Sequence, residues 1–387
     1  HLHVHSEYSM LDGAARIGPM VQEAVAQGMP AIAVTDHGNT FAAFEFYKAA
    51  KDAGIKPIIG IEAYVTPGTH RSDKARVRWG GPDQAGDDVS GSGAYTHMTL
   101  LSQSTEGMHN LFRLSSKASM EGYYFKPRMD RELLQTYSKG LIATTGCPSG
   151  EVQTRLRLGQ YDAARAAAAE FQDILGKENY FTEIMDHGLS IERRVMGDLI
   201  KISKELDIPL VGTNDLHYTH QHDATSHAAL LCVQSGSTLD DPKRFKFDGD
   251  GYYVKSAAEM RQIFRDHPEA CDNTLLIAER CEVEFNTSAN YMPRFPVPPG
   301  ESEDSWFVKE VEKGLEHRYP AGIPTEVRAQ AEYETQVILQ MGFPGYFLVV
   351  ADFINWAKEN GIRVGPGRGS GAGSMAAYAM KITDLDP

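Results

Sequence analysis

The chain has 387 residues, of which 42% are hydrophobic, so it can form one large domain with a sizeable core and part of another. Its 4 cysteines lack paired spacing, which argues against a disulfide-stapled fold and favours a reducing, cytoplasmic compartment. No apolar run is long enough to span a bilayer and no signal-peptide pattern is present, so we expect no membrane partner. The formal charge of −14 does not favour nucleic-acid binding, although bound divalent ions would offset part of it. Because the first residue is His rather than Met, we expect the chain to be cut from a longer one.

Strand-like segments alternate with amphipathic, helix-like segments along the first half of the chain. The predicted strands are 2–5, 31–35, 57–64, 97–102, 140–145, 180–185 and 209–213. The predicted helices between them include 17–27, 42–53, 162–174 and 191–206. This alternation predicts an α/β fold with parallel pairing, in a barrel or a doubly wound sheet. A total of seven strands favours the barrel.

Side chains that can bind metal recur along these segments. His3 and His5 lie two residues apart on an extended segment, so both side chains point to the same side. In β/α barrels the chemistry gathers at the carboxyl ends of the strands. His97 departs from that rule because it starts its strand, so we expect the barrel to be irregular there. The full set of candidate metal ligands is His3, His5, Asp12, His37, Glu62, His97, Cys147, Asp215 and His217.

Nine candidate ligands are too many for one zinc ion, which takes about four, and are enough for two or three ions that share a carboxylate such as Glu62. Imidazole, carboxylate and thiolate together suit zinc, manganese or iron better than calcium or magnesium. Two ions ~3.5–4 Å apart generate hydroxide near neutral pH and steady both oxygens in phosphoester cleavage. The set therefore predicts phosphoester hydrolysis. Two assignments stay open: Cys147 could be a buried small hydrophobe or a nucleophile, and His187 could be a ligand or part of the pocket wall.

Two segments interrupt the regular pattern. Residues 66–95 form a Gly/Asp/Ser-rich insertion, which we interpret as a solvated surface loop rather than a DNA-contact loop, although it carries Arg71, Lys74, Arg76 and Arg78. Residues 286–305 are rich in proline and predict an extended linker. Beyond the linker we expect a helix that Ser305 caps and that runs to residue 319, followed by helices at 327–341 and 346–360.

A glycine-rich segment, 364–374, precedes an apolar, helix-like stretch, 375–381. Glycines let backbone amides approach an anion, a helix start adds the positive end of a dipole, and arginine or serine can grip phosphate oxygens. The segment is neither a Walker loop nor the dinucleotide-binding fingerprint. It is therefore a tight structural turn or a triphosphate cradle, whose nucleotide-binding residues would be Gly367, Arg368, Gly369 and Ser370.

Taken together, five motifs resemble the family of bacterial DNA polymerase III alpha subunits: HLHVHSEYSMLDG (1–13), VTDHGN (34–39), GIEAY (60–64), TTGCPSGE (144–151) and GPGRGS (365–370). The resemblance covers essentially the whole chain. It implies a polymerase-and-histidinol-phosphatase (PHP) domain at 1–285, which in this family is a distorted seven-stranded β/α barrel. It further implies a linker at 286–305 and the first part of a polymerase-β-like palm domain at 306–387.

The resemblance also implies how the metals are held. One ion would be bound by His3, His5, Glu62 and Asp215. A second ion would be bound by Glu62, His97 and Cys147, and a third by Asp12, His37 and His217. Many family members have lost some of these ligands, but none is lost here. That favours a working, proofreading 3′–5′ exonuclease, with catalytic residues Asp215, Glu62, His97 and Cys147.

For the palm, the resemblance implies that the glycine-rich loop holds the incoming dNTP and that Mg²⁺ serves the polymerase site of the full-length protein. The family's catalytic aspartates lie in a downstream motif that this chain lacks, and Asp384 and Asp386 precede that motif. The chain alone should therefore not polymerise DNA. The expected partners of the full-length protein are primer–template DNA, dNTPs, the sliding clamp, the clamp loader and, where the PHP site does not proofread, a separate exonuclease subunit.

Two other functions stay open at this point. One is a stand-alone PHP phosphoesterase that acts on a small phosphate such as histidinol phosphate. The other is a non-catalytic PHP scaffold that binds metal for stability or docks a separate exonuclease. The glycine-rich loop, which stand-alone PHP phosphatases lack, favours the polymerase over both.

Overall fold

A computed structural model describes residues 1–289, 291–367 and 369–387, and the chain divides into two compact units, His1–Phe285 and Asn286–Pro387. The strands of the first unit are β1 (Ala31–Val34), β2 (Lys56–Val65), β3 (Thr96–Ser102), β4 (Arg128–Met129), β5 (Leu141–Thr144), β6 (Tyr180–Ile184) and β7 (Leu210–Gly212). Its helices are α1 (Ile17–Ala26), α2 (Ala43–Asp52), α3 (Ser90–Gly93), α4 (Thr105–Glu121), α5 (Arg131–Tyr137), α6 (Glu151–Arg157), α7 (Tyr161–Leu175), α8 (Ser190–Leu206), α9 (Ala224–Ser235), α10 (Ala257–Ile263) and α11 (Pro268–Arg280). The second unit contains α12 (Glu303–Arg318), α13 (Thr325–Gln340), α14 (Pro344–Glu359) and α15 (Met375–Ala379).

The strands form one sheet in the order β1-β2-β3-β5-β6-β7, and the short β4 pairs with β2. The pairs β1–β2, β2–β4, β5–β6 and β6–β7 are parallel. β3 is antiparallel to both β2 and β5, so the prediction of parallel pairing is wrong for that strand. The connection from β2 to β3 holds only the one-turn α3 and a short 3₁₀ turn. Because no crossover helix returns the chain to the opposite edge of the sheet, β3 begins at the edge where β2 ends.

The first six residues join the two ends of the sheet. Just beyond β7, the carbonyl of Leu216 accepts the amide of His5 at 2.7 Å, and just beyond β1, the amide of Thr35 donates to the carbonyl of Val4 at 2.8 Å. The predicted strand at 2–5 is reduced to an isolated bridge between Val4 and Leu216, because only a short stretch of partner backbone is available on each side. β4, which was not predicted, makes up the number of strands. The result is an α/β fold in which the curled sheet forms a distorted β/α barrel.

The interior of the barrel changes from apolar to polar along the strands. One inward-facing layer is apolar and buried, and consists of Ala33, Ile58, Leu101, Ile142, Phe181 and Val211. Alternate residues of a strand share a face, so the next inward positions are two residues away. These positions are polar and also buried: Thr35, Thr99, Thr144, Glu183 and Thr213. The polar end of the barrel is the end at which the predicted ligands lie.

The outer face of the sheet packs against helices. Ile32 and Val34 of β1 share a core cluster with Met20 of α1 and Phe46 of α2. The predicted helices of this unit are confirmed to within two residues at each end. Their apolar positions recur at helical spacing, which is the pattern that this packing requires.

The second unit is helical and has its own core, around Phe307, Leu315 and Leu348. α12 begins three residues earlier than predicted, because Ser302 and not Ser305 is its N-cap: the Ser302 hydroxyl accepts the amide of Ser305 at 3.1 Å. In the described part of the chain no single helix is both long and apolar enough to cross a membrane, although α13 and α14 meet the length and composition criteria as a bent pair.

Candidate metal centre

The structure brings the nine predicted ligands into one network at the polar end of the barrel. Their ligand atoms form three overlapping groups in which all atoms lie within 4.8 Å of one another: His3, His5 and Asp215; His37, Glu62 and His97; and His5, His37 and His217. Asp12 joins through its Oδ2, 2.9 Å from His37 Nε2. Cys147 joins through its Sγ, 3.5 Å from His97 Nδ1.

Strand direction explains why these residues meet. His37 follows β1, Cys147 follows β5, and Asp215 and His217 follow β7, all at carboxyl ends of parallel strands. His97 is the second residue of β3, but β3 runs the other way, so its beginning lies at the same edge. The irregularity that we expected at His97 is therefore an antiparallel strand.

Glu62 occupies the middle of the network. It lies on the inward face of β2 and pairs in register with Thr99. Its Oε1 is 3.4 Å from His3 Nε2 and 2.9 Å from His97 Nδ1, and its Oε2 is 2.5 Å from His37 Nδ1. The carboxylate is 1% exposed, so its two oxygens face histidines rather than water.

Within the described part of the chain, seven buried polar atoms of the ligand residues have no hydrogen-bond partner: His3 Nε2, His5 Nε2, Asp12 Oδ1, His37 Nδ1, Glu62 Oε2, Asp215 Oδ1 and His217 Nε2. Some of them lie close together without hydrogen-bond geometry, for example His5 Nε2 and Asp215 Oδ1 at 3.2 Å. Buried polar atoms in folded proteins are almost always paired, and an unpaired one costs about 1–3 kcal/mol. Lone pairs that converge in this way fit cations between them.

A second layer of residues, which the sequence analysis missed, orients the ligands. Glu183 of β6 accepts the Nδ1 proton of His3 at 2.7 Å and also accepts hydroxyl protons from Thr144 and Thr213. This bond fixes the tautomer of His3, so that its Nε2 faces the centre. The available signal was a glutamate inside a predicted strand of mostly apolar residues, since a fully buried carboxylate needs a partner.

His5 is held by a similar relay. Its Nδ1 lies 3.0 Å from Ser9 Oγ, and that hydroxyl donates to Asp36 at 2.7 Å. The loop that carries Asp12 approaches the backbone of Ser6 closely. A Cβ on Gly13 would lie 1.9 Å from the carbonyl of Ser6, so only glycine fits there.

The backbone of Asp215 is left-handed, with φ of 44°. This conformation is rare for a residue with a Cβ, although aspartate tolerates it better than most. The turn places Asp215 Oδ1 3.5 Å from His3 Nε2 and 3.2 Å from His5 Nε2. Strain of this kind persists where the surrounding structure imposes it, which is common at functional sites.

Burial and mutual charge shift the pKa values within the cluster. Burial, helped by the neighbouring His37, lowers the pKa of His5 to about 3. Burial also disfavours the charged form of His37, but Glu62 and Asp12 outweigh it and raise the pKa of His37 to about 10. Burial and Glu62 raise the pKa of the Cys147 thiol well above its ordinary value. Without a bound cation the cluster therefore holds protons, which metal binding would displace.

His187 is not one of the converging residues. Its Nδ1 lies 2.6 Å from Glu192 Oε1, and its Nε2 lies 2.9 Å from the carbonyl of Asn214. Its ring stacks on Tyr252, with 4.2 Å between the centroids. Because both nitrogens are occupied, His187 belongs to the wall next to the loop of Asp215.

The glycine-rich loop of the second unit is built differently. Gly369 and Ser370 are exposed and start a short 3₁₀ turn, and Gly367 has φ of 141°, while Arg368 lies outside the described residues. The helix that follows, α15, is shorter than predicted. Its first amides are already occupied: the Glu334 carboxylate accepts the amides of Met375 and Ala376 at 3.1 and 3.0 Å and the Ser374 hydroxyl at 2.8 Å.

The sequence matches two family models, the PHP domain over residues 1–187 and the bacterial DNA polymerase III alpha NTPase domain over residues 305–387. Across its whole length the chain is 59% identical to DNA polymerase III subunit alpha of Mycobacterium tuberculosis, 57% to that of Saccharopolyspora erythraea and 43% to that of Treponema pallidum. The chain belongs to the bacterial DNA polymerase III alpha-subunit family. The resemblance inferred from the motifs is thereby confirmed.

The chain spans about a third of the length of these relatives: 33%, 33% and 32%, respectively. Among solved structures, an amidohydrolase from Chromobacterium violaceum with bound sulfate aligns over 56% of this chain and 86% of its own, at 15% identity and a TM-score of 0.35. The PHP-domain match covers residues 1–187, which lie within the barrel unit, and the network of histidines and carboxylates is the candidate metal centre of that unit.

Proposed function

We propose that the PHP metal centre binds three divalent ions and hydrolyses the 3′-terminal phosphodiester of DNA, as a proofreading 3′–5′ exonuclease. The strongest support is the set of seven buried, unpaired polar atoms that converge from the ligand residues. Mixed nitrogen, oxygen and sulfur donors suit zinc, with manganese or iron as alternatives. The chemistry of the donor set thus fits a transition-metal cluster.

Contacts in the structure support the division of ligands into three sets. His3, His5, Glu62 and Asp215 would hold one ion, and their facing atoms lie 3.2 to 3.7 Å apart. A second ion would be held by Glu62, His97 and Cys147. A third would be held by Asp12, His37 and His217. His37 and Glu62 also share a group with His97, so Glu62 is positioned to bridge the ions.

Bound divalent ions of this kind supply hydroxide near neutral pH and stabilise negative charge on phosphate oxygens. The chain itself provides the orientation. His3 and His5 are fully buried, and their outer nitrogens are held by Glu183 and Ser9. The side chains of Asp12, His37 and Asp215 are 17 to 18% exposed, so substrate would approach the centre from their side. We assign catalysis to Asp215, Glu62, His97 and Cys147.

Membership of the polymerase family supports a wider proposal for the longer protein. We propose that it is a DNA-directed DNA polymerase that copies primer–template DNA from dNTPs with Mg²⁺ and works with the sliding clamp and clamp loader. Gly367, Arg368, Gly369 and Ser370 would contact the triphosphate of the dNTP. The exposure of Gly369 and Ser370 is compatible with that role.

The decisive experiment compares two substrates for the full-length protein. Release of the last nucleotide from a 3′-end-labelled primer, lost on chelation and restored by zinc or manganese, is expected. Preference for a small phosphomonoester such as histidinol phosphate would favour the phosphatase alternative. Hydrolysis of neither substrate by a protein that carries its metals would leave the scaffold role. Elemental analysis that finds one ion or none per chain would contradict a trinuclear centre.

A further inference from the structure

An aromatic turn borders the metal centre. It comprises residues 123–127, between α4 and β4. The Nζ of Lys126 lies 5.5 Å from the centroid of the Tyr64 ring. The Tyr64 ring in turn lies 5.2 Å from the ring of the ligand His97, edge to face. A single aromatic side chain, Tyr64, therefore lies between the aromatic turn and the ligand His97.

The tip of this turn is strained and apolar. Phe125 has a left-handed backbone, with φ of 61°, and its side chain is 54% exposed. Tyr123 beside it is 63% exposed. A bulky residue with positive φ is a backbone outlier that costs free energy, and a ring that stays about half exposed recovers only part of that cost through burial. Packing therefore does not fully explain why a phenylalanine is held there.

A second loop at the centre also combines a positive φ with an exposed apolar side chain. Leu11, which directly precedes the ligand Asp12, has φ of 67° and is 43% exposed, and Met10 is 74% exposed. Among the described residues, those with positive φ that are not glycine are Leu11, Ser92, Phe125, Asp207, Asp215 and Lys381. Two of the six thus present large apolar side chains to solvent beside the same centre.

Two cations lie next to these rings. The guanidinium of Arg76 lies 5.1 Å from the centroid of Phe125, and its Nε donates to the Tyr124 hydroxyl at 3.4 Å. In the part of the chain that the structure describes, neither Arg76 nor Lys126 forms an ion pair within 4.0 Å. Arg71 of the same insertion, by contrast, is bound to carboxylates. In the described part of a chain with net charge −14, Arg76 thus lies without an ion pair over the exposed ring of Phe125, and Lys126 lies without one over the buried ring of Tyr64.

We infer that the aromatic turn, with Arg76 opposite and Met10 and Leu11 on the other loop, binds the unpaired bases and phosphates of a single-stranded 3′ end. This inference rests on the proposed exonuclease function and names its substrate. Aromatic rings stack on any base, and cations beside them bind the backbone. The last paired base of a duplex has one face stacked on its neighbour, so a frayed or mismatched base, with both faces free, gains most from the rings. The turn would thus make the centre selective for ends that need excision.

The test is Phe125→Ala in the full-length protein, assayed on a 3′-labelled single-stranded oligonucleotide and on bis(p-nitrophenyl) phosphate, which has no base to stack. The ratio of the two kcat/KM values, oligonucleotide over small diester, is expected to fall about tenfold. Phe125→Tyr, which keeps a ring, should restore the ratio. Tyr333→Ala, which removes a ring that is 66% exposed in the second unit, is the matched control and should not change it. An unchanged ratio for Phe125→Ala would overturn the inference.

The charge is tested separately. Arg76→Gln should lower the steepness with which oligonucleotide KM rises with salt, by about 0.7 in the logarithmic slope, whereas Arg76→Lys should not. If the wild-type protein excises nothing, the proposed function fails and the turn is still tested by binding. An oligonucleotide ending in 2-aminopurine should then lose fluorescence by stacking on the wild-type protein and recover it with Phe125→Ala. Equal fluorescence with both proteins would overturn the inference independently of catalysis.

Discussion

The metal centre of the barrel and the glycine-rich loop of the helical unit were both predicted as sites for charged ligands, but the structure builds them in opposite ways. At the centre, buried atoms such as His5 Nε2 and Asp215 Oδ1 have no hydrogen-bond partner among the residues that the structure describes. At the loop, the helix-start amides of Met375 and Ala376 are already paired with Glu334. The centre therefore offers buried, unpaired atoms to cations, whereas the amides at the loop are already bound to the Glu334 carboxylate. The unpaired buried groups therefore mark a site that needs added cations, whereas the amides at the loop are already satisfied by the chain itself.

The difference follows from the scaffolds. Ligands such as Glu62 and His97 lie on paired strands whose register is fixed, so their positions need no bound ion. Residues such as Ser370 lie on an exposed segment without strand or α-helix. Sites on regular elements are held more precisely than sites on loops.

Removing a ligand from the centre should have the largest effect. Asp215→Asn is expected to reduce 3′-end excision by at least about a hundredfold, because it removes the negative charge that faces both His3 and His5. Primer extension by the full-length protein should change little. Asp207→Asn is the matched control, since Asp207 also has positive φ and its side chain is 84% exposed. Excision at the wild-type rate in a preparation free of other nucleases would assign proofreading elsewhere.

Removal of the metal ions should lower the free energy of unfolding by nearly as much as the loss of a ligand changes the free energy of catalysis. A ligand present at a hundred times its Kd stabilises the folded state by about 2.7 kcal/mol. Chelation should therefore lower the melting temperature of the wild-type protein measurably, and added zinc or manganese should restore it. The Asp215→Asn protein should respond less. If chelation leaves the wild-type melting temperature unchanged although elemental analysis confirms metal loss, the unpaired atoms are not a cation site.

A smaller effect is expected at Glu183, which orients the ligand His3. Glu183→Gln keeps the shape of the side chain but replaces one acceptor oxygen by an NH2 group. Either the proton of Thr144 or the protons of His3 and Thr213 then lose their acceptor. Loss of such a partner lowers metal affinity about 10- to 100-fold. Competition with a chromogenic chelator measures this, and the exposed Glu178→Gln is the control. Equal affinity in wild type and Glu183→Gln would show that His3 keeps its orientation without Glu183.

The sequence predicted the helices, the strands and the ligand set of the barrel better than it predicted how the strands are connected and paired. Helix spacing placed α1 and α8 to within two residues, because their buried faces repeat at 3.6 residues. It could not reveal that β3 is antiparallel, since strand direction depends on how the 66–95 insertion returns the chain. His97 seemed misplaced for that reason alone.

The second layer of the centre was missed for a related reason. The role of Glu183 depends on contacts with residues up to 180 positions away in sequence, such as His3. Ser302 and Ser305 both fit the local pattern of an N-cap, so the sequence alone does not decide between them. In the structure α12 begins directly after Ser302. Arg368 lies outside the described residues, so its predicted phosphate contact stays a prediction.

The smallest effect is expected at the loop, where Glu334→Gln tests whether the carboxylate is only a helix cap. Glutamine keeps one acceptor oxygen of two and loses the charge at the helix start, so the second unit should lose about 1 kcal/mol of stability, measured by urea denaturation. Although burial opposes it, hydrogen bonds from Ala376 and its neighbours hold the pKa of Glu334 below its ordinary value. A carboxylate with a lowered pKa stabilises the fold above its unfolded pKa and loses that effect as the pH falls through the folded one. The difference between wild type and variant should therefore shrink in acid.

The same substitution decides what the amides of α15 are for in the full-length polymerase. If they serve only the fold, Glu334→Gln leaves the KM for dNTPs unchanged. If the triphosphate uses them, Glu334 must leave first, and its weakened hold in the variant should lower that KM, by about tenfold for each 1.4 kcal/mol of competition removed. Glu332→Gln, on an exposed position of the same helix, is the control. A lowered KM would make the loop a site that its own carboxylate keeps closed, whereas an unchanged KM with the expected loss of stability would confine phosphate contact to the exposed residues before α15.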